Sequence, residues 1–456
     1  MGRTRIMFSL LLIGLFSISV ICTGVRSLFA WDKDSWLKLP PYEWHTANPE
    51  LAEKWAKMVG FKAPDVVGKV APEIKPGMVI DSKNYKNYPG LKKLLSDSLY
   101  ARLDPNSYAP LAPLKIAPTS QYHWSIGCLE KTLDNIKTCR IAEDGITMIG
   151  YNGGIAFPHP KAGIELAWNM DNKYIDDTIY MNPMWLRLYG RDNKPERDMK
   201  WYLGQVRWTY RCDWGEDIKP NLEGVNYASS GWFFYPRDLS GTCYLRRRFL
   251  DVEKPDEFLL YLPSMRRIRR MSGKDTQDPI FGSDIVWDDF QGYYQKISAT
   301  TFPVDWKIIG KAEILQPTEV HIDYRRGEER PPSFYVDDSG EQTYMYYGSW
   351  QRRPVWIVEG KELDKSYSYS IRRMYIDREI NSFLHSELFD QAGRLWRTWL
   401  REGVIENHTG YYGENFIDAV DHLNNHRTIL DCKQIPNPEW VGPEYSDMKF
   451  LIRKAK

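Results

Sequence analysis

The chain has 456 residues, and its 61 Lys and Arg balance 60 Asp and Glu to a formal net charge of +1. That balance excludes the one-signed electrostatic footprint of a nucleic-acid binder. With 18 Trp, 29 Tyr and 17 Phe the composition points to β-structure, because Tyr and Trp favour pleated, half-buried surfaces.

The opening Met-Gly-Arg-Thr-Arg precedes an apolar run from Ile6 to Cys22 and a small-residue stop near Ala30. This is the order of n-region, h-region and cleavage site in a secretory signal, so residues 1–30 are expected to be removed and the protein exported. The alternative is an uncleaved anchor, since an apolar run of about 17 residues lies at the lower limit for a span. Cys22 follows Ile21 and makes a poor lipid-attachment site. The later cysteines are Cys128, Cys139, Cys212, Cys243 and Cys432. In a compartment that permits disulfides, Cys128 with Cys139 and Cys212 with Cys243 are the expected pairs, with reduced core thiols as the alternative. None has the CxxC spacing of a metal site.

Residues 31–114 read as short helices joined by Pro-rich connections. Leu51, Trp55, Met58 and Val59 share one face of a helix that starts at Pro49 and stops at Gly60, and Leu91, Leu94, Leu95 and Leu99 mark a second between Leu91 and Leu103. The prolines between Tyr108 and Pro118 mark a linker or an extended crossing.

From 115 to 392 the period changes to two. Between Trp201 and Cys212, Tyr202, Val206, Trp208, Tyr210 and Cys212 alternate with Gln205, Arg207, Thr209 and Arg211, as in a strand with one buried face. Runs at Gly231–Tyr235, Thr242–Asp251, Glu257–Leu262, Asp305–Leu315, Thr343–Trp350, Val355–Gly360, Tyr367–Asp377 and Ser382–Asp390 continue the series, without alternating helices. Such a series predicts a large antiparallel sheet, and one this long must curl, because a flat sheet leaves two aggregating edges. The expected fold is mainly β within the α+β class, a strongly curved half-barrel with helices over its concave face. Residues 393–456 are expected to be helical and irregular, broken by Gly410-Tyr-Tyr-Gly, Pro436, Pro438 and Pro443.

Arg266, Arg267, Arg269 and Arg270 fall within five residues, and guanidinium groups that close repel unless something negative sits among them. Asp284, Asp288 and Asp289 are the expected structural partners, with Trp287 and Trp306 as stacking faces. The other reading is capture of an anionic head group or of a partner's acidic loop. Gly153-Gly154 predicts a tight turn, stiffened by Pro158 and Pro160 beside Phe157, that either starts the sheet or borders a ligand entrance. Asp418, His422 and His426, at four-residue spacing, would share a helix face; without the Glu of HExxH an exposed polar face is expected rather than a metal site. No GxSxG elbow and no Gly-rich phosphate loop occur, so no catalytic residue, metal or cofactor is assigned.

The segment from Gly153 to Asn169, GGIAFPHPKAGIELAWN, resembles the first signature of a family of exported bacterial proteins of unknown function, often labelled outer membrane lipoprotein-sorting protein. Leu262 to Arg270 with Asp288-Asp289 and Asp305 to Glu313 resembles its second signature, and Arg353 to Glu359 with Tyr367 to Asp377 its third. Ala156 and His159 depart from the pattern. The resemblance spans roughly Gly145 to Asp390. It implies a LolA-like incomplete barrel that binds acyl chains or other hydrophobic ligands in the periplasm. As partners it implies an outer-membrane β-barrel protein and an efflux-type exporter, hence transport to or across the outer membrane. Arg266, Arg267, Arg269, Arg270, Trp208, Tyr210, Trp306 and Phe157 are the candidate ligand contacts. The competing expectation is a carbohydrate-binding or carbohydrate-active envelope protein. Aromatics gathered inside the concavity favour the lipid reading; a solvent-facing row with paired carboxylates favours the glycan.

Overall fold

From Thr178 onward aromatic and aliphatic residues fall on both faces of extended segments, and strands covered on both sides satisfy that pattern. The computed structural model describes residues 49–213, 216–272, 275–320, 334–336, 343–345, 349–405, 412–436, 438 and 440–456. The expected signal at 1–30 and residues 31–48 lie outside the described residues.

Among the described residues thirteen strands form one sheet. They are β1 Thr178–Tyr189, β2 Pro195–Arg207, β3 Val225–Tyr235, β4 Cys243–Phe249, β5 Glu257–Leu262, β6 Arg267–Met271, β7 Val304–Val320, β8 Trp350–Glu362, β9 Tyr369–Asp377, β10 Phe383–Asp390, β11 Leu395–Ile405, β12 Tyr412–Asp421 and β13 His426–Pro436. One limb runs β6-β5-β4-β3-β2-β1 and continues through β13 and β12 to β11, with antiparallel neighbours throughout. The other meanders from β11 through β10, β9 and β8 to β7. There the end of β7 returns to pair in parallel with Gly403–Ile405 of β11. That limb is rolled up, whereas the limb ending in β6 is not, so the sheet curves strongly without closing into a barrel.

The concave face is identified by its core. One cluster takes Trp201 and Leu203 of β2, Tyr244 of β4 and Phe258 of β5 together with Val358 of β8, Met374 of β9, Trp399 of β11 and Leu430 of β13. Side chains from both limbs meet in this cluster. Two pieces cover this face: helix α4, Gly163–Asp171, which buries Leu166, Ala167 and Met170, and the segment 275–303, which contributes Ile285, Val286, Tyr293 and Ile297. On the opposite face, Leu400 and Ile429, the neighbours of Trp399 and Leu430, pack with Trp350 against the leucines of the N-terminal segment.

Helix α1, Pro49–Val59, buries Leu51, Trp55, Met58 and Val59, the face expected from the sequence. The second expected helix breaks into a 3-10 turn, Pro89–Lys93, and helix α2, Asp97–Ala101, because the Ser96 hydroxyl accepts the Leu99 N–H and starts a new helix there. Its leucines are buried all the same. The extended crossing holds, with Leu114–Lys115 paired to Val79–Ile80.

Residues 393–456 depart from expectation: β11, β12 and β13 run through them and lie mid-sheet. The reason is buried charge. Arg397, Arg401, Asp418 and Arg427, which read as polar surface in the sequence, are each at most 5 % exposed. Asp418, His422 and His426 accordingly lie on the β12–β13 hairpin, not on a helix. Asp418 bonds Arg102 and Arg427, His422 bonds Thr398 Oγ1, and His426 bonds Asp284.

The expected disulfides are also absent: Cys128, Cys139, Cys212 and Cys243 are free thiols. Cys128 lies in the first turn of helix α3, Ile126–Thr138, and Cys139 caps its end. Eleven residues at a rise of about 1.5 Å separate them by roughly 16 Å, beyond the reach of a disulfide. Cys212 accepts the Gly154 N–H at 3.2 Å and, after burial, helps to raise the Cys128 thiol, whereas Cys243, at the start of β4, contacts the Gly241 carbonyl.

Candidate functional site

The segment 275–303 is the plug of the concavity. Short 3-10 turns at Asp275–Gln277, Ile280–Gly282 and Trp287–Gly292 let it follow a concave wall that a straight helix could not. It inserts aromatic rings between rings of the sheet. Trp287 lies 4.9 Å from Tyr244 and 5.0 Å from Phe258, Phe290 lies 5.8 Å from Trp399, and Tyr293 lies 4.9 Å from Trp306. These are edge-to-face or tilted contacts, each contributing about 0.5–1.5 kcal/mol beyond area burial.

A small set of polar latches fixes the plug in register. Asp289 accepts from Arg372 Nη1 and from the Tyr369 hydroxyl, both at 2.8 Å, and Asp288 accepts from the Tyr367 hydroxyl at 2.9 Å. Arg246 and Arg248 donate to the Tyr294 carbonyl at 2.8 and 2.6 Å, and Lys296 reaches the carbonyls of Asp251 and Lys254. Asp284 joins His426 Nδ1 at 2.7 Å and Thr428 Oγ1 at 2.8 Å. The three aspartates therefore serve the plug, and their expected pairing with the arginine cluster is overturned.

Between plug and sheet remains a cavity of about 190 Å³, walled by Phe302, Tyr367 and aliphatic stems, into which Arg246, Asp256, Asp288, Lys296 and Glu362 bring charge. Glu362 is 2 % exposed. Burial pushes its carboxyl up to about 8, against the pull of Arg372, and no hydrogen-bond partner meets it among the described residues. Burial also raises Asp288 and lowers Lys296. An apolar wall with a few convergent polar groups is the usual build of a small-molecule site. With the plug seated, the volume is below the ~300–1,000 Å³ of such sites.

Of the residues singled out in the sequence, Phe157 and Trp306 belong to the concave-face cluster. Trp208 lies elsewhere, donating Nε1–H to Ser446 at 2.9 Å, and Tyr210 packs on Tyr151 at 4.7 Å. Arg266, Arg267, Arg269 and Arg270 form the exposed outermost strand and the turn before it, and among the described residues only Arg270 has a carboxylate, Glu257, at 2.6 Å. Sequence reasoning missed Glu362, Arg246, Arg248 and Arg372.

For Arg372 a signal existed, since it lies in the third of the three sequence blocks, which converge here. Asp288 and Asp289 of the second block meet Tyr367, Tyr369 and Arg372 of the third. In the first, Asn169 clamps Phe157 through both backbone groups, at 2.9 and 2.8 Å. Gly163 lies so close to Trp306 that a Cβ would fall 2.4 Å from its carbonyl carbon.

Solved structures with similarity to the chain include a DUF1329 family protein from Desulfovibrio piger, at 16 % identity and TM-score 0.44, covering 63 % of this chain and 97 % of that one. A putative outer membrane lipoprotein-sorting protein domain from Vibrio parahaemolyticus matches at 16 % identity and TM-score 0.42, over 64 % and 98 %. A LolA superfamily protein from Nitrosomonas europaea matches at 12 % identity and TM-score 0.37, over 61 % and 94 %. No curated protein matches significantly. The model of the family "Protein of unknown function (DUF1329)" matches residues 79–441, and the chain belongs to that family.

Proposed function

We propose that the protein is a non-enzymatic carrier for a hydrophobic or amphiphilic ligand, such as a lipid or a lipoprotein acyl chain, held on the concave face beneath the plug. The observation that carries this reading is the seating of the plug itself: Trp287, Phe290 and Tyr293 occupy an aromatic floor formed by Tyr244, Phe258, Trp306 and Trp399. A segment that stacks its own rings there occupies the place of an apolar ligand. Displacing it exposes a surface on which burial contributes roughly 25 cal/mol per Å² of apolar area. Binding is then an exchange in which plug and ligand compete for one floor. The setting of this reading is the periplasm, with an outer-membrane β-barrel protein and an efflux-type exporter as the partners between which the ligand passes.

The glycan alternative finds less support. Among the described residues the exposed large aromatics are Phe234 and Tyr235, neighbours at one strand end rather than a row. The test is to purify the protein from the periplasm, extract it with organic solvent and identify co-purifying molecules by mass spectrometry. Enrichment of one lipid class is expected. Extracts no richer in lipid than the blank, with retention on envelope polysaccharide, would overturn the proposal.

A further inference from the structure

We propose that β6, the free edge of the sheet, receives an acidic, extended segment of a partner protein as an added strand. β6 pairs with β5 on one side, and among the described residues no strand occupies the other. Its outer row of backbone N–H and C=O groups is therefore open to a further strand, the arrangement used in strand-addition recognition.

The side chains specify what that strand carries. Arg267 and Arg269 stand on the face of Leu262 and Leu260, whereas Arg270 stands on the opposite face with Leu259. Arg266 occupies the preceding turn at φ 51°, and Lys456 shares its hollow. Arg266, Arg267 and Arg269 are exposed and have no ion pair among the described residues. A second copy of this edge would set arginine against arginine, so self-pairing is disfavoured and an acidic partner favoured.

The same alternation separates a peptide from a membrane. A planar anionic surface meets one face of the sheet edge and leaves the other arginines in water. An added strand with carboxylates on both faces meets all of them, and Ile268, 48 % exposed on the Arg270 face, gives it an apolar contact. The inference is independent of what the concavity binds.

The test uses the purified protein and a fluorescent peptide of about ten residues alternating Glu and Val, the length of a full strand, read by anisotropy at low salt. Saturable binding that weakens as salt is raised is expected, with none for the Lys-Val counterpart. Arg267→Glu with Arg269→Glu is expected to weaken it roughly tenfold or more, a change of about 1.4 kcal/mol. The same peptide N-methylated at every internal amide is expected to lose binding, a readout on the unaltered protein that does not depend on a variant folding. Equal binding of the N-methylated peptide would reduce the site to unspecific charge attraction and overturn the proposal. So would failure of the acidic peptide to bind while phosphatidylglycerol vesicles capture the protein.

Discussion

Removing the Asp289 carboxylate is expected to release the plug. Asp289 and Arg372 are each 1 % exposed, and their 2.8 Å contact is joined by the Tyr369 hydroxyl. In Asp289→Ala the Arg372 guanidinium keeps, among the described residues, only the Gly292 carbonyl as a hydrogen-bond acceptor, at 3.2 Å, and that carbonyl belongs to the plug. A buried charge stripped of its partner costs about 3–5 kcal/mol. Undocking lets Arg372 regain water, so the cost falls on the docked state and the opening equilibrium shifts toward release. If about 3 kcal/mol falls on docking, opening rises by roughly 150-fold, since each 1.4 kcal/mol is tenfold. Hydrogen exchange followed by mass spectrometry reads this at the plug amides of Asp289 and Tyr294, which donate to Val286 and Asp288 at 3.1 and 3.0 Å. Uptake of an environment-sensitive fatty-acid probe is expected to rise in parallel. The double variant Asp289→Leu with Arg372→Met removes both charges and should keep the plug closed. Unchanged exchange across 285–296 in Asp289→Ala, with a loss of global stability instead, refutes a separable latch.

Two further outcomes follow from buried charge. Glu362 titrates near 8 when folded against an ordinary 4.5. The folded state therefore binds a proton that the unfolded state has lost, and this group's stability contribution, complete below about pH 4.5, disappears as pH rises through 8. Glu362→Gln should flatten that slope in melts between these limits and be the more stable protein above pH 8; parallel wild-type and variant curves contradict the assignment. Asp418, fully buried between Arg102 at 2.6 Å and Arg427 at 2.7 Å, is held well below the usual carboxylate range by those guanidinium groups in spite of its burial. Its contribution is present above the ordinary 3.8 and is lost as pH falls below it. Asp418→Ala should cost about 3–5 kcal/mol in urea unfolding at neutral pH, and a loss below about 1 kcal/mol would falsify the buried pair.

How much of this was legible depended on whether polarity and exposure coincide. In α1 and in most runs between Gly231 and Asp390 they do, and periodicity located the elements. They part company at the start of β1, where Thr178–Met181 is buried on both faces and shows no alternation. They part again in β11–β13, whose buried arginines and aspartates resemble solvent-facing residues until their partners from distant segments are known. The partner of Asp418 is Arg102, from the N-terminal segment, and no local pattern announces a contact between residues 316 positions apart. The plug was obscured for a similar reason. Asp288 and Asp289 looked like partners of the nearby arginines, whereas their real partners come about 80 residues later, in β9 and the turn before it.

The two sets of arginines show why charge proximity in sequence misleads and what each set does. Arg248, Arg353, Arg372 and Arg427 are fully buried and each is matched to a carboxylate, whereas Arg266, Arg267 and Arg269 are clustered and exposed. A buried ion pair contributes little net stability, because the desolvation of both charges nearly cancels their attraction. What it imposes is geometry. For Arg372 and Asp289 this matters, since an apolar substitute would hold the plug more tightly but could not return to water at little cost. A latch of charges over a floor of rings closes in one register and opens into solvent that rehydrates both partners. For the carrier proposed above, that near-balance between plug and ligand is what would let it give up what it binds.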